Sequence, residues 1–188
     1  MKDRLKNKLR ELLTEGKHNH KYEYGCVMVF LDVDDDVWSR YEDMIDSDDL
    51  YLGTDEDTGY GFEKDPHTTI LYGIHADVPL DDVENVIDKI KKPKMVLQKV
   101  SAFKNEKFGV LKFEVESEYL RNYNRMLTKL PHTTSYPDYN PHCTIAYIKP
   151  EAIDKYVEMF SNIEPLEFEV KNIVYTYPPN NKKEYNFA

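Results

Sequence analysis

Pro66-His67-Thr68-Thr69-Ile70-Leu71-Tyr72 and Pro141-His142-Cys143-Thr144-Ile145-Ala146-Tyr147 are two copies of one short pattern, about half a chain apart and identical at five of seven positions. Each opens on a histidine, places a threonine two residues on and continues as an apolar run of strand character. Side chains on a strand alternate between its faces. His67, Thr69 and Leu71 are therefore predicted to share one face, with Thr68, Ile70 and Tyr72 on the other. In the second copy His142, Thr144 and Ala146 face together, opposite Cys143, Ile145 and Tyr147. The apolar sets suit a covering layer of helices. That makes Tyr72 and Tyr147 core residues and turns both His-Thr pairs toward a common space. The repetition predicts two similar lobes, each presenting the same strand.

Around these strands the apolar period switches between two and 3.6. Leu5, Leu9, Leu12 and Leu13 form one helical face over 3–15, an appended helix that Gly16 ends, and His18 and His20 follow in a connector. The core spans 22–177. Residues 22–33 hold an apolar run predicted to be a central strand, followed by a helix over 35–46 with Val37, Tyr41, Met44 and Ile45 on one side. Residues 47–65, rich in Asp and Gly, read as a long loop with the character of a lid. Asp32, Asp34 and Asp36 have the opening spacing of a calcium loop, but Val37 and Asp43 stand where that loop needs Gly and Glu. Capping by Asp34 or Asp35 explains these residues without a metal. A helix opened by Pro79 carries Leu80, Val83, Ile87 and Ile90. Strands are predicted at 95–103 and 108–116, the latter alternating Leu111, Phe113 and Val115 with Lys112, Glu114 and Glu116. Ser117 opens a helix bearing Leu120, Tyr123, Leu127 and Leu130, Pro150 one bearing Ile153, Val157 and Phe160, and a last strand covers 165–176. The Tyr175-Pro179 segment beyond it reads either as a cover for the cleft or as a frayed end. Such alternation makes an α/β or α+β domain with helices outside a sheet.

Two opposed His-Thr pairs suit phosphodiester chemistry. A neutral imidazole takes a proton from the attacking oxygen while a protonated one gives a proton to the departing oxygen. Threonine hydroxyls bind the non-bridging oxygens. This scheme needs no metal, cofactor or covalent intermediate, and no metal-ligand cluster accompanies His18 and His20. Pro-His-Thr-Thr occurs once more at 131–134, but it runs into the turn sequence Ser135-Tyr136-Pro137-Asp138, so His132 is read as a loop residue. His75 lies past the end of its strand and has no counterpart in the second copy.

The duplicated His-x-Thr motif resembles the signature of the 2H phosphoesterases, a superfamily that includes LigT-like proteins, cyclic phosphodiesterases and phage anti-CBASS enzymes. The resemblance implies a bilobal α+β sandwich with pseudo-twofold symmetry, a central cleft between two antiparallel sheets and helices outside. It implies His67 and His142 as the acid/base pair and Thr69 and Thr144 as phosphate ligands.

Composition narrows the substrate. The chain of 188 residues carries 25 Lys and Arg against 35 Asp and Glu, a net charge of −10. That balance disfavours a grip on long nucleic acid, which needs clustered cations to displace counterions. It leaves room for a small anion in a local pocket. The expected partner is thus a small nucleotide, such as a cyclic oligonucleotide or a 2′,3′-cyclic phosphate. An RNA-end-processing enzyme and a non-catalytic nucleotide sponge stand as alternatives. Tyr24 and Tyr139 are the candidates for stacking on bases, each with core or loop packing as the rival reading. Cys26 and Cys143 read as buried free thiols, and the absence of a long apolar run predicts a soluble, cytoplasmic protein without a membrane span.

Overall fold

A run with no polar face belongs inside a sheet that is covered on both sides. Residues 26–31 are such a run. In the computed structural model, which describes residues 23–54, 59–136 and 138–187, they form β1 (Gly25–Asp32), flanked by β2 (His67–Ile74) and β6 (Leu166–Tyr177). The predicted helix over 3–15, with His18 and His20 behind it, lies outside the described residues. Together with β3 (Met95–Lys104), β4 (Gly109–Glu116) and β5 (His142–Ile148), the strand order is β2-β1-β6-β3-β4-β5, every pair antiparallel. β6 joins two sheets. Its first residues, 166–168, pair with β3, and the rest, from Glu169 on, pairs with β1.

Four α-helices stand among the described residues: α1 (Asp35–Glu42), α2 (Leu80–Ile87), α3 (Glu118–Leu127) and α4 (Ile153–Met159). Each buries one stripe, namely Trp38 and Tyr41, Val83 and Ile87, Leu120, Tyr123 and Leu127, and Ile153 and Tyr156. These side chains share one core with Val27, Val29, Ile70, Leu97, Phe113 and Ile145 from the strands. The result is the predicted α+β class. Ser117 starts α3 as expected, its hydroxyl accepting from the Leu120 amide at 3.3 Å and donating to the Lys94 carbonyl at 2.7 Å. At α1 the cap is Asp34, but through its carbonyl, which takes the Trp38 amide at 3.1 Å, and not through its carboxylate.

Three expectations need correction. α1 ends at Glu42, and its buried stripe is led by Trp38, whose indole N–H donates to the Glu63 carbonyl at 3.1 Å, while Met44 is exposed. The segment 47–65 is no lid where it is described. Its two ends pack along β5, with the Tyr51 amide on the Tyr147 carbonyl, the Tyr147 amide on the Gly61 carbonyl and the Glu63 amide on the Ile145 carbonyl at 2.8–2.9 Å. Tyr51 and Tyr60 close over Phe108, Val110 and Tyr147, and apolar contacts of this kind hold a segment down. Finally, the chain beyond Tyr177 neither frays nor covers a cleft. It turns back as β7 (Asn181–Asn186), paired with β6 from Asn172 to Tyr177.

β2 needs a glycine near its end. Gly73 has φ of +102°, and a Cβ there would stand 2.0 Å from the Thr133 carbonyl oxygen. That close approach seats residues 131–133 against β2, with the Thr133 amide on the Gly73 carbonyl at 2.9 Å. Gly73→Ala should therefore cost at least about 1–3 kcal/mol. In thermal unfolding this appears as a midpoint lowered by several degrees, and an unchanged midpoint would mean that the segment is not seated as described.

Candidate active site

β2 and β5 occupy the two ends of the strand order, yet they touch each other. The sheets therefore fold toward one another, and the first residues of the two end strands, His67 and His142, come together. The His67 backbone reaches the thiol of Cys143, and the charge of His67 is felt at His142. Both cysteines are free and buried, and burial pushes the Cys143 thiol far up, away from reactivity.

Each motif carries a register irregularity at the same place. In β2 the partners of β1 pass from Thr69 to Leu71, skipping Ile70; in β5 the partners of β4 pass from Thr144 to Ala146, skipping Ile145. Such a bulge shifts the alternation of faces by one residue. Up to it the prediction stands in β2, where Thr68 and Ile70 are buried and His67 and Thr69 are partly exposed; in β5 Cys143 and Ile145 join the main core, while Thr144, across from Lys112, is buried too, at 9% exposure. Beyond it the prediction reverses. Leu71 and Ala146 turn into the main core, not to the histidine side. Tyr72 joins Cys26, Met28, Phe30 and Val174 on the histidine face of the first sheet. Tyr147 is buried, but in the separate cluster with Phe108 and Val110.

The two rings are held alike. Nδ1 of His67 lies 2.8 Å from the Asp65 carbonyl, and Nδ1 of His142 lies 3.0 Å from the Asn140 carbonyl. A carbonyl can only accept, so Nδ1 carries the hydrogen and Nε2 is the basic nitrogen of the neutral ring. Phe30 stacks on His67 at 5.2 Å, and Phe103 meets His142 edge-on at 5.0 Å. His132 makes the same local contact, to the Leu130 carbonyl at 2.8 Å, so this contact alone does not mark a catalytic histidine. Position does. His132 bridges to Ile74, at the other end of β2 from His67.

Burial sets the charge of His142. It keeps some accessible surface, but the protein packed around it lowers its pKa to about 4, the loss of solvation outweighing the opposing pull of the Asn140 carbonyl. The charges of Lys112 and His67 push the same way. Lys112 was not among the residues expected here, because alternation in β4 groups it with Glu114 and Glu116. That face turns toward the cleft: Lys112 pairs with Thr144 and Glu114 with His142. Lys112 is only 6% exposed, and burial lowers its pKa. Burying an ammonium costs several kcal/mol. Its hydrogen bond to the Ser101 hydroxyl (2.8 Å) and its place over the Phe103 ring (4.3 Å) offset about 1.5–3 and about 0.5–2 kcal/mol. The pairing of β4 with the second motif is the signal that would have exposed it.

The stacking candidates fall in different places. The Tyr139 hydroxyl donates to the Thr69 carbonyl at 2.9 Å, tying the approach to the second motif onto the strand of the first. Tyr24 stands beside Tyr72 and His75 at the start of β1, the end far from the Phe30–His67 pair. Among the described residues no three His, Cys, Asp or Glu side chains gather as a metal site, and no helix is long and apolar enough to cross a membrane.

Several solved structures share this fold. The structure of Kluyveromyces marxianus Usb1 superposes with a TM-score of 0.55 at 11% identity, covering 88% of this chain and 98% of that one. The same protein with uridine monophosphate gives the same values. TT0787 of Thermus thermophilus has a TM-score of 0.49 at 13% identity, with coverage of 86% and 97%. No curated protein matches the sequence. The family model described as Anti-CBASS protein Acb1 matches residues 61–172, which contain both motifs. The expected anti-CBASS resemblance is thus borne out, with the fold shared with the Usb1 structure, and since the match takes in more than half of the 188 residues, the chain belongs to the Acb1 anti-CBASS family.

Proposed function

We propose that the protein is a metal-independent phosphodiesterase that cleaves a small nucleotide, with a cyclic oligonucleotide as the substrate class, and so acts against nucleotide signalling as its family name implies. The observation that carries this reading is the meeting of two like-anchored histidines, each with a threonine on the same face, brought from opposite ends of the strand order. A ribose 2′-hydroxyl is a suitable nucleophile. One imidazole takes its proton as the oxygen bonds to phosphorus, the P–O bond to the departing oxygen breaks, and the other imidazole protonates that oxygen. Thr69 and Thr144 donate to the non-bridging oxygens as their charge grows. Tyr24 is proposed to stack on a base; it is separated from His67 by most of β2, about 17–20 Å at ~3.4 Å per residue, a reach suited to a substrate of more than one nucleotide. The net charge of −10 supports a small substrate over long RNA.

His67→Ala and His142→Ala should each lower kcat/KM by about 10²–10⁴-fold on a cyclic di- or trinucleotide, whereas His132→Ala leaves it near the wild-type value. The double variant should fall well short of the product of the single effects, since both histidines serve one step. If the wild type binds such nucleotides tightly and cleaves none of them in a mass-spectrometric screen, it is a sponge and not an enzyme. Thr69→Ala and Thr144→Ala should cost about 1–3 kcal/mol of transition-state binding, read as kcat/KM, and unchanged values in both would remove the threonines from the phosphate site. Turnover should persist in excess EDTA; its loss, with recovery on adding one divalent ion, would overturn the metal-free mechanism.

A further inference from the structure

The two motifs match, but the residues opposite their threonines do not. Thr69 pairs with Met28 in β1, and Thr144 pairs with Lys112 in β4. An ammonium has three hydrogens to donate, and among the described residues the one side-chain hydrogen bond of Lys112 goes to Ser101. Among the described residues no carboxylate lies within ion-pair distance of it. Glu114, next along the same face, is 3.6 Å from Lys99. A cavity of about 280 Å³ opens beside Lys112, lined also by Phe103, Glu114, Arg121 and Asn140. Asn140 is the residue whose carbonyl holds His142. The first sheet has a cation too, Lys182, 6.0 Å from the Phe30 ring, but its charge is matched by Glu184 at 2.8 Å.

Resting on the phosphodiesterase reading, we propose that Lys112 binds a non-bridging oxygen of the scissile phosphate beside Thr144, and that its charge divides the roles of the histidines, His142 taking a proton and His67 giving one. Nε2 of His142 accepts the hydrogen of the attacking hydroxyl as the new O–P bond forms. The departing oxygen leaves with the electron pair of the broken bond and receives a proton from His67, while Lys112 keeps its own. The charges that act on His142 are those of Lys112 from β4 and His67 from β2; Glu114 pairs with it in the sheet and Phe103 from β3 meets its ring, while Lys99 reaches Glu114 and Arg121 from α3 lines the cavity beside Lys112 and donates to the Tyr139 carbonyl at 3.1 Å. The low pKa of His142, about 4, agrees with this division, since the ring stays neutral and able to accept a proton through the neutral range.

Lys112→Met tests the proposal by placing at this site the side chain that stands opposite Thr69. Removing a positive neighbour makes protonation easier, so the His142 pKa, followed by NMR in the free protein, should rise. The acid limb of kcat/KM should move to higher pH with it, and kcat/KM at neutral pH should fall about 10²-fold. Binding of inorganic phosphate, titrated in the same samples, should weaken at least about tenfold. Lys112→Arg, which keeps the charge, should leave the His142 titration near its wild-type position. Should Lys112→Met fail to fold, Lys112→Gln removes the charge while keeping a polar reach to Ser101. An unchanged His142 titration together with unchanged phosphate binding in the neutral variant overturns the proposal. The titration and phosphate arms need no turnover. A protein that passes both and cleaves nothing refutes the phosphodiesterase reading alone, and a neutral variant with full activity refutes the role of Lys112 alone.

Discussion

An edge strand carries a row of backbone groups that must find partners, and β2 and β5 stand as such strands at the two ends of one strand order. Most of what surrounds the site is a response to that demand. Away from the histidines, residues 131–133 cover β2, and 61–63 cover β5 through the Gly61 carbonyl and the Glu63 amide. Nearer the histidines side chains take over: Tyr139 donates to the Thr69 carbonyl at 2.9 Å and Asn124 to the Ile70 carbonyl at 2.8 Å. The remaining stretch, where each strand begins, is settled by the two edges meeting, with the His67 backbone at the Cys143 thiol. The same contact that disposes of two edges brings the two imidazoles together.

The bulges at Ile70 and Ile145 make that meeting compatible with a single core. A strand with strict alternation would carry His67, Thr69 and Leu71 on one face and leave a leucine in the cleft. One extra residue sends Leu71 inward and brings Tyr72 out to Met28 and Val174. In the second strand the same device puts Ala146 in the core and frees Tyr147 to pack on Val110, beneath Tyr51 and Tyr60. The proposed site and the packing thus use different halves of each strand, the histidine and threonine before the bulge and the tyrosine after it.

This division explains what was legible in the sequence. The strand starts, the helix stripes of α2 and α3 and the pairing of the two His-x-Thr motifs follow from local pattern, because apolar periodicity and turn residues determine them. A bulge leaves no local mark: Ile70 and Ile145 look like ordinary strand residues, so strict alternation inverts the faces of Leu71, Tyr72, Ala146 and Tyr147. β7 escaped notice for a related reason. Asn181-Lys182-Lys183-Glu184-Tyr185-Asn186 has almost no apolar face, and its place rests on backbone pairing with β6 and on Glu84, which receives the Tyr185 hydroxyl at 2.8 Å and binds Lys183. Lys112 was hidden differently. Alternation marked it as lying off the core side of β4 but could not say whether that side meets water or the cleft, which depends on β4 pairing with β5.

Charge completes the picture at two scales. Over the whole surface the net charge of −10 repels a polyanion, and salt screens that repulsion beyond about 8 Å. Around the second motif the distances are shorter and the protein displaces water, so an ammonium at 6% exposure acts on its neighbours more strongly than a surface charge would, and at His142 it adds to the larger effect of burial. Lys112 stands across from the threonine of one motif, and the apolar Met28 across from that of the other. The duplicated motif therefore presents two similar hydrogen-bonding arms, but the field across them is not symmetric. A phosphodiester held between such arms has one side facing a neutral, desolvated imidazole beside a cation and another facing His67 stacked on Phe30. Attack and departure in phosphoryl transfer occur on opposite sides of phosphorus, so on the proposed reading this polarity would decide which oxygen approaches and which one leaves.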